Sequence, residues 1–263
     1  MTLNEIKHCE LDILSYIDEV CKNNNITYYL AYGTLLGAVR HNGFIPWDDD
    51  IDVFMFRDDY NRFISSFLNN ELYKLLSLET DNEYYYPFAK VVDKRTRVNE
   101  ELFKSIENLG VWVDIFPLDY YDPRLIKKRK VDLYSDLHLV SRYKSFQASH
   151  SLFRTIIKRI VYYFIKNQSP KKYALWFNEL GNKSKIPQNE VCVISGCDLY
   201  SEKWKTKWFE TSFKHKFEDR EFFVPGCYDD ILKTTYGDYM MLPPENERVS
   251  KHLIEAYFVD KDD

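Results

Sequence analysis

The 263-residue chain has little of several features that mark particular protein classes. With 8 Gly and 9 Pro it is not a fibrous or low-complexity protein, and with 17% aromatic residues it is not a disordered one. Its formal net charge of −5 argues against a general nucleic-acid-binding protein, which would carry a strongly basic domain. These exclusions leave a globular protein with a substantial core, built as one large domain or two small ones.

Long apolar runs and cysteine pairs are also missing. No stretch of about 18 apolar residues suits a membrane-spanning helix, and the first residues lack the basic and apolar regions of a secretory signal. The cysteines include no CxxC pair. Cys192 and Cys197 could ligate a metal, but without nearby His partners a reduced pair in a strand–turn is favoured. We therefore expect a cytoplasmic protein, with peripheral contact at the inner face of the cell membrane left open.

The charge is distributed unevenly along the chain. Residues 121–172 contain thirteen Lys and Arg and three acids, a net charge of +10, which leaves −15 for the remainder. Such a segment is expected to meet an anionic partner, either an acidic acceptor or an anionic membrane surface. The alternative is a solvated helical face, and the sequence leaves both interpretations open.

Hydrophobic periodicity predicts strands in the first half and helices in the middle of the chain. An amphipathic helix is expected over 3–24. Apolar and β-branched runs of strand length occur at 26–30, 51–56, 72–78, 86–92 and 111–116. Strands followed by helices indicate an α+β fold with a mixed-sheet core over 1–120. A basic helical segment over 121–185 and a C-terminal helical and irregular segment over 186–263 would complete a single unit.

The segment 47–53, WDDDIDV, is the most informative part of the sequence. Four carboxylates in five residues repel one another, and they run directly into an apolar strand, where Asp is disfavoured. Because side chains alternate along a strand, Asp50 and Asp52 are expected on one face, about 7 Å apart at Cα, with Asp48 on the same face. Oxygen ligands in this arrangement suit Mg²⁺ or Mn²⁺, completed by phosphate oxygens.

Three other interpretations compete for the acidic segment. An exposed acidic turn is the simplest. A calcium loop fails, because Val53 stands where Gly is required and Asp59 stands where Glu is required. The DxD motif of a sugar-nucleotide glycosyltransferase survives as an alternative, although that motif normally follows a whole nucleotide-binding half-domain and only 47 residues come before this cluster.

Two further features accompany the acidic segment. Asp114 interrupts an apolar strand, and a buried acid needs a partner, which a metal held by Asp50 and Asp52 would supply. The alternative for Asp114 is a cap at the end of a strand. Gly33 and Thr34 stand between a strand and an expected helix, where a phosphate can approach the backbone closely and meet amide donors.

The succession strand, Gly-Thr, helix, hDhDh and hDh (h, apolar) resembles the nucleotidyltransferase fold of DNA polymerase β-like enzymes. Within that superfamily, residues 32–53, YGTLLGAVRHNGFIPWDDDIDV, are closely similar to the LicD family, whose eukaryotic relatives include fukutin and fukutin-related protein. The similarity extends to other places in the chain: 88–93, 113–119, 236–240, Pro243, Pro244, Arg248 and His252. The basic segment 121–172 matches no motif of the family.

The resemblance implies a metal-dependent transferase that moves a phospho-alcohol from a CDP-activated donor to a hydroxyl of a cell-surface glycan, releasing CMP. The expected reaction is phosphocholine transfer from CDP-choline to a glycan or lipid-linked glycan, such as lipopolysaccharide, teichoic acid or capsule. Glycerol- or ribitol-phosphate transfer is the alternative within the family. A nucleotidyltransferase and a catalytically silent, membrane-associated scaffold are the competing classes.

The resemblance also assigns roles to residues. Asp50, Asp52 and Asp114 would be the catalytic and metal-binding residues for Mg²⁺ or Mn²⁺, with Asp114 either a ligand or the base for the acceptor hydroxyl. Asp48 would extend the phosphate-binding site.

The phosphates of the donor are expected to meet Gly33, Thr34 and the helix that follows them. Arg40 and Lys90 would neutralise the transferred group, unless Arg40 only pairs with the acidic cluster and Lys90 is a solvated strand residue. Choline would need an aromatic cage, for which Trp204, Trp208 and the three tyrosines of 84–86 are available, but the sequence does not decide between choline and a polyol.

Overall fold

The computed structural model describes residues 1–148, 151–194, 202–249 and 255–259. Its α-helices are α1 (Leu3–Asn23), α2 (Tyr32–His41), α3 (Arg57–Ser66), α4 (Lys128–Arg142), α5 (Leu152–Ile165), α6 (Lys171–Lys183) and α7 (Tyr228–Tyr236). Its strands are β1 (Tyr29–Leu30), β2 (Asp52–Phe56), β3 (Tyr73–Leu76), β4 (Ala89–Asp93), β5 (Thr96–Asn99), β6 (Trp112–Tyr120), β7 (Glu190–Cys192), β8 (Lys203–Lys205), β9 (Ser212–Phe217), β10 (Arg220–Pro225) and β11 (Glu255–Phe258). The predicted α+β class, with helices in the basic segment, is confirmed.

A mixed sheet forms the centre of the fold. Its strands lie in the order β1-β2-β6-β4-β3, and β7 and β8 continue the sheet from the end of β6. β2 and β6 are parallel, with Asp52 opposite Asp114, and the other pairings of this sheet are antiparallel. Pro117 lies within β6, between the part that pairs with β4, which ends at Ile115, and the part that pairs with β7, which begins at Asp119. A proline has no amide hydrogen to donate and fits this gap in the pairing. The parallel pairing of β2 with β6 makes Asp52 and Asp114 neighbours, although they are distant in the sequence.

Helix α1 packs against β4 and β6. A capping box starts it: the Thr2 amide donates to Glu5 Oε2 at 2.6 Å, and the Glu5 amide donates to Thr2 Oγ1 at 3.3 Å. Its apolar stripe, which includes Ile13 and Ile17, is buried in the main core, as its helical spacing predicts. Glu10 lies in the same buried stripe and carries a carboxylate into the interior.

The basic segment forms three helices, of which α6 contacts β6 and accepts, at Asn178 Oδ1, a hydrogen bond of 2.8 Å from Arg57 of α3. Arg57 donates to both oxygens of Asp119, at 2.7 and 2.8 Å, and both side chains are buried. Gly181 lets α6 approach this pair, because a β-carbon there would lie 2.6 Å from Asp119 Oδ1 and would collide with the Arg57 guanidinium. None of the helices within the described ranges combines the length and apolar character that crossing a membrane requires.

Two boundaries differ from the sequence-based expectation. β2 begins at Asp52. Asp50 therefore lies in the loop before the strand, and Asp50 and Asp52 do not share a strand face. α2 begins at Tyr32, so Gly33 and Thr34 lie inside its first turn instead of ahead of it. Tyr32 has a φ of 43°, in the left-handed region, and this sharp turn carries the chain almost directly from β1 into α2.

Candidate active site

Asp52, Asp114 and Lys90 meet where β2, β6 and β4 lie side by side. Asp114 is opposite Asp52 in the parallel pair and opposite Lys90 in the antiparallel one. Lys90 Nζ donates to Asp114 Oδ1 at 2.6 Å, and Trp112 Nε1 donates to Asp114 Oδ2 at 3.1 Å. The Lys90 ammonium also lies 4.1 Å from the centre of the Trp112 ring. Lys90 is therefore a buried ion-pair partner and not a solvated strand residue.

The carboxyl group of Asp52 is buried among like charges. Burial, and then the negative charges of Asp50 and Asp114, raise the pKa of Asp52 well above its ordinary value, and Lys90 opposes this only in part. A buried carboxylate is stable when a cation is close, because charge in a low-dielectric interior is costly unless it is paired. The acidic site is thus suited to a positively charged ligand.

Helix α2 holds the acidic segment in position from the other side. The Asp52 amide donates to the buried Thr34 Oγ1 at 2.8 Å, which ties the start of β2 to the first turn of α2. A β-carbon at Gly33 would lie 2.7 Å from Asp48 Oδ2, so the Asp48 carboxylate rests directly against the start of the helix. Gly33 and Thr34 therefore hold the acidic segment in position, and their contact with phosphate stays a prediction.

An open groove of about 780 Å³ adjoins the acidic segment. It is lined on one side by Gly33, Arg40 and Asp48 and on the other by the segment 236–249. Arg40 Nη1 donates to the Tyr239 carbonyl at 2.7 Å, which joins the two walls of the groove. Three of the predicted site residues thus line a space large enough for a nucleotide-sized molecule.

Tyr236 lines the groove, and the pKa of its hydroxyl responds to the acidic residues. Burial of its hydroxyl and the negative charges of Asp52 and Glu202 raise the pKa of Tyr236, although 41% of the residue is exposed. Asp48 brings the acidic segment to the groove, while Asp49, Asp50 and Asp114 line a second, smaller cavity.

Glu10 is a site residue that the sequence reasoning missed. It lines a small cavity of about 30 Å³ together with Asp49, Asp50, Trp112 and Asp114. It is 3% exposed, and its Oε2 atom has no hydrogen-bond partner within the described residues. Burial, and then the charges of Asp50 and Asp49, raise the pKa of Glu10 well above its ordinary value. The available signal was its position on the apolar stripe of α1, where an acid is unusual.

The carboxylates of the site have the chemistry of divalent-cation ligands. In the part of the chain that the structure describes, no three His, Cys, Asp or Glu side chains are gathered closely enough to hold an ion. The chemistry of the oxygen ligands nevertheless fits a divalent cation. The carboxyl groups of Asp50, Asp114 and Glu10, whose Oε2 atom has no hydrogen-bond partner among the described residues, line one cavity and are hard oxygen ligands. Ligation by Asp50, Asp52 and Asp114 stays a prediction.

Two residues named from the sequence fall outside the described ranges. They are Cys197 and His252. Cys192 is a buried free thiol, and its burial raises its pKa well above the ordinary value. A buried neutral thiol of this kind is typical of a structural cysteine rather than a reactive one.

The aromatic ring of Tyr86 links the site to the basic segment, because it contacts a cation from each. The Lys90 ammonium lies 4.8 Å from the centre of this ring, and the guanidinium carbon of Arg142, at the end of α4, lies 5.0 Å from it. The Tyr86 hydroxyl donates to Glu100 Oε1 at 3.0 Å. The Tyr86 side chain therefore contacts both Lys90, on β4 at the site, and Arg142, in the last turn of α4.

Comparison with known proteins gives three matches that bear on this site. The family model described as LicD/FKTN/FKRP, nucleotidyltransferase domain, matches residues 25–151, which include all the predicted catalytic and phosphate-binding residues. The lipopolysaccharide cholinephosphotransferase LicD of Haemophilus influenzae is 31% identical, over 98% of this chain and 99% of its own. The ribitol 5-phosphate transferase FKRP of Homo sapiens and Mus musculus is 41% identical over 44 residues, 17% of this chain and 9% of theirs. The full-length match and the family model agree, and the chain belongs to the LicD family.

Proposed function

We propose that this protein transfers a phospho-alcohol, in the first place phosphocholine, from a CDP-activated donor to a hydroxyl group of a cell-surface glycan. Asp52 and Asp114 carry this proposal because they are neighbours in the sheet, and a groove wide enough for a nucleotide adjoins the same acidic segment at Asp48. The full-length relative, a lipopolysaccharide cholinephosphotransferase, supports the same class of reaction.

The reaction would form one phosphorus–oxygen bond and break another. The acceptor oxygen would attack the phosphorus that carries the alcohol, the bond from this phosphorus to the CMP oxygen would break, and the acceptor hydroxyl would lose its proton. Asp114 is our candidate for the base, because Lys90 and Trp112 donate to its two oxygens and so hold the carboxylate in one orientation. The neighbouring Lys90 would balance negative charge on the transferred group.

Asp50 and Asp52 are the residues that would hold Mg²⁺ or Mn²⁺ in this scheme, with Asp114 as a further ligand if it is not the base. A bound divalent cation would supply positive charge to the diphosphate oxygens. Thr34 would keep Asp52 in position through its hydrogen bond to the Asp52 amide.

Recognition of the alcohol would fall to the groove. Tyr84, Tyr85 and Tyr86 are buried, and their hydroxyls donate to Phe88 O, Lys104 O and Glu100, so they serve the core and are unsuited to a choline cage. Trp47 and the segment 236–249 bring aromatic rings to the groove wall instead, where a quaternary ammonium could lie against them. A polyol phosphate would use the polar groups of the same wall, as the local similarity to FKRP would suggest.

The test is incubation of the purified protein with CDP-choline, CDP-glycerol and CDP-ribitol, with a lipopolysaccharide or teichoic acid acceptor. We expect CMP release that needs Mg²⁺ or Mn²⁺ and is fastest with CDP-choline. Asp52→Asn should reduce it at least about a hundredfold, while Asp58→Asn, at an exposed acid in α3, should leave it unchanged. Release of pyrophosphate in place of CMP from a nucleoside triphosphate would assign a nucleotidyltransferase, and full activity of Asp52→Asn would refute the assigned site.

A further inference from the structure

Among the described residues, helix α5 packs against the rest of the protein through one side. Val161, Tyr162 and Ile165 lie in a small apolar cluster with Val140 and Tyr143, which come from α4 and the residue after it. This cluster is separate from the main core around the sheet. Contact with α4 therefore accounts for one face of α5 and leaves the opposite face uncovered.

The uncovered face of α5 is apolar. Its exposed large side chains are Leu152 (85% exposed), Ile156 (60%), Ile157 (47%), Ile160 (55%), Tyr163 (70%) and Phe164 (71%). At 3.6 residues per turn they lie within a continuous arc of roughly 140° around the helix. Isolated apolar side chains are ordinary on a protein surface, whereas a continuous face of this kind marks an interaction site.

The surroundings of this face are basic. From 137 to 178 the sequence contains eight Lys and Arg and no Asp or Glu. Arg159 lines the apolar groove of α5 beside Ile160 and Phe164. The partner of this face must therefore accept apolar side chains in its centre and carry negative charge at its edge.

We propose that α5 docks in the plane of an anionic phospholipid surface, with its apolar face among the lipid chains and its basic side chains at the phosphates. An apolar arc bordered by Lys and Arg, with aromatic residues at one end, is the pattern of interfacial helices. The attraction of such a helix to anionic lipid adds to the burial of its apolar face. The sequence predicts an anionic partner for the whole segment 121–172. The proposal assigns the contact with that partner to the uncovered face of α5.

A second copy of the chain fits this surface less well than a membrane does. In a two-fold dimer the same face meets itself, so the acid-free segment 137–178 would lie against its own positive charge. Like charges brought together across an interface weaken association. An anionic bilayer supplies the opposite charge instead.

Vesicle flotation tests the proposal on the full chain. The probe is phosphatidylcholine vesicles with about 30 mol% phosphatidylglycerol, compared with pure phosphatidylcholine vesicles. We expect binding to the anionic vesicles only, and at least about tenfold weaker binding of the triple variant Ile156→Gln/Ile160→Gln/Phe164→Gln. The matched control is Leu68→Gln/Ile186→Gln, which changes equally exposed apolar residues away from α5 and should bind as the unchanged protein does.

A second variant isolates the electrostatic part of the interaction. Arg154→Gln/Arg159→Gln should weaken binding to anionic vesicles and reduce its sensitivity to salt, with an unchanged melting temperature because both residues are exposed. Equal binding to neutral vesicles, equal binding of the triple variant, or no binding at all would overturn the proposal. So would a dimer, seen by light scattering, that the triple variant abolishes.

Flotation is independent of the proposed transfer reaction. It needs neither CDP-alcohol nor glycan, so its failure would leave the chemistry at Asp52 and Asp114 standing. Conversely, absence of CMP release would leave the docking of α5 untouched.

Discussion

Replacing Asp119 with Ala would leave the Arg57 guanidinium charged and without its main partner inside the protein. The two side chains are 7% and 1% exposed, and they share two hydrogen bonds of 2.7 and 2.8 Å. Arg57 would retain one further bond, to Asn178 Oδ1 at 2.8 Å. Because guanidinium does not deprotonate in proteins, the cost of burying it cannot be avoided by losing a proton.

The expected loss of stability follows from this geometry. Removing one partner of a buried ion pair costs about 3–5 kcal/mol, since the remaining charge is desolvated and unpaired. In a domain of this size that loss lowers the melting temperature by about 6–20 °C. Gly181→Ala reaches the same pair by another route, because its β-carbon would collide with the guanidinium of Arg57.

Urea unfolding followed by tryptophan fluorescence measures the effect, with thermal unfolding in parallel. The matched control is Arg124→Ala, which removes an ion pair of similar length, 2.8 Å to Asp122, whose Arg side chain is 77% exposed. We expect the control to lose at most about 1 kcal/mol, because the Arg124 side chain is exposed and Asp122 keeps the hydrogen bond from the backbone amide of residue 124. Losses of equal, small size for Asp119→Ala and Arg124→Ala would refute the argument from burial.

Three further predictions concern buried groups. Glu10→Gln should raise the melting temperature in metal-free buffer, because it removes a carboxyl group buried with an unpaired Oε2, and should reduce the further rise on adding Mg²⁺. Gly37→Ala should destabilise the fold by about 1–3 kcal/mol in urea unfolding, because its β-carbon would collide with the Gly43 carbonyl, a backbone atom that cannot turn away. Burial lowers the pKa of His138 to about 3, against about 6.5 in the unfolded chain, so the unfolded chain binds a proton first as the pH falls. Stability should therefore decrease from about pH 6.5 toward pH 3 by up to about 1.4 kcal/mol per unit, and His138→Gln should remove this part of the slope.

Each of these results has a contrary outcome. An unchanged response to Mg²⁺ in Glu10→Gln would separate Glu10 from the cation site. Wild-type stability of Gly37→Ala would mean that α2 can move away from the turn at Gly43. Identical pH profiles for the protein and His138→Gln would show that the imidazole titrates alike when folded and unfolded.

The sequence was sufficient to predict the neighbourhood of the site but not its exact geometry. Asp52 and Asp114 could be assigned to adjacent strands, because each interrupts an apolar run of strand length and a buried acid needs a polar or charged partner. Asp50 was expected on the strand as well. Ile51 makes the strand pattern look longer than it is, and the true start at Asp52 depends on the hydrogen bond from its amide to Thr34.

The residues that were missed or left open depend on contacts between distant segments. Glu10 lies among residues that apolar spacing marks as buried, but an acid in a helix is ordinarily taken to face solvent. Lys90 could not be distinguished from a solvated strand residue, because its partners Asp114 and Trp112 come from another strand. The helices of 121–185 were predictable from composition and spacing, whereas the face of α5 that stays uncovered depends on where α4 lies.

Tyr86 gives the molecule a constraint that neither the sheet nor the helices would have alone. Its ring touches the Lys90 ammonium from one part of the chain and the Arg142 guanidinium from another. A change in the size or polarity of this side chain would disturb both at once. Tyr86 therefore couples the position of Lys90 in the sheet to the position of the last turn of α4.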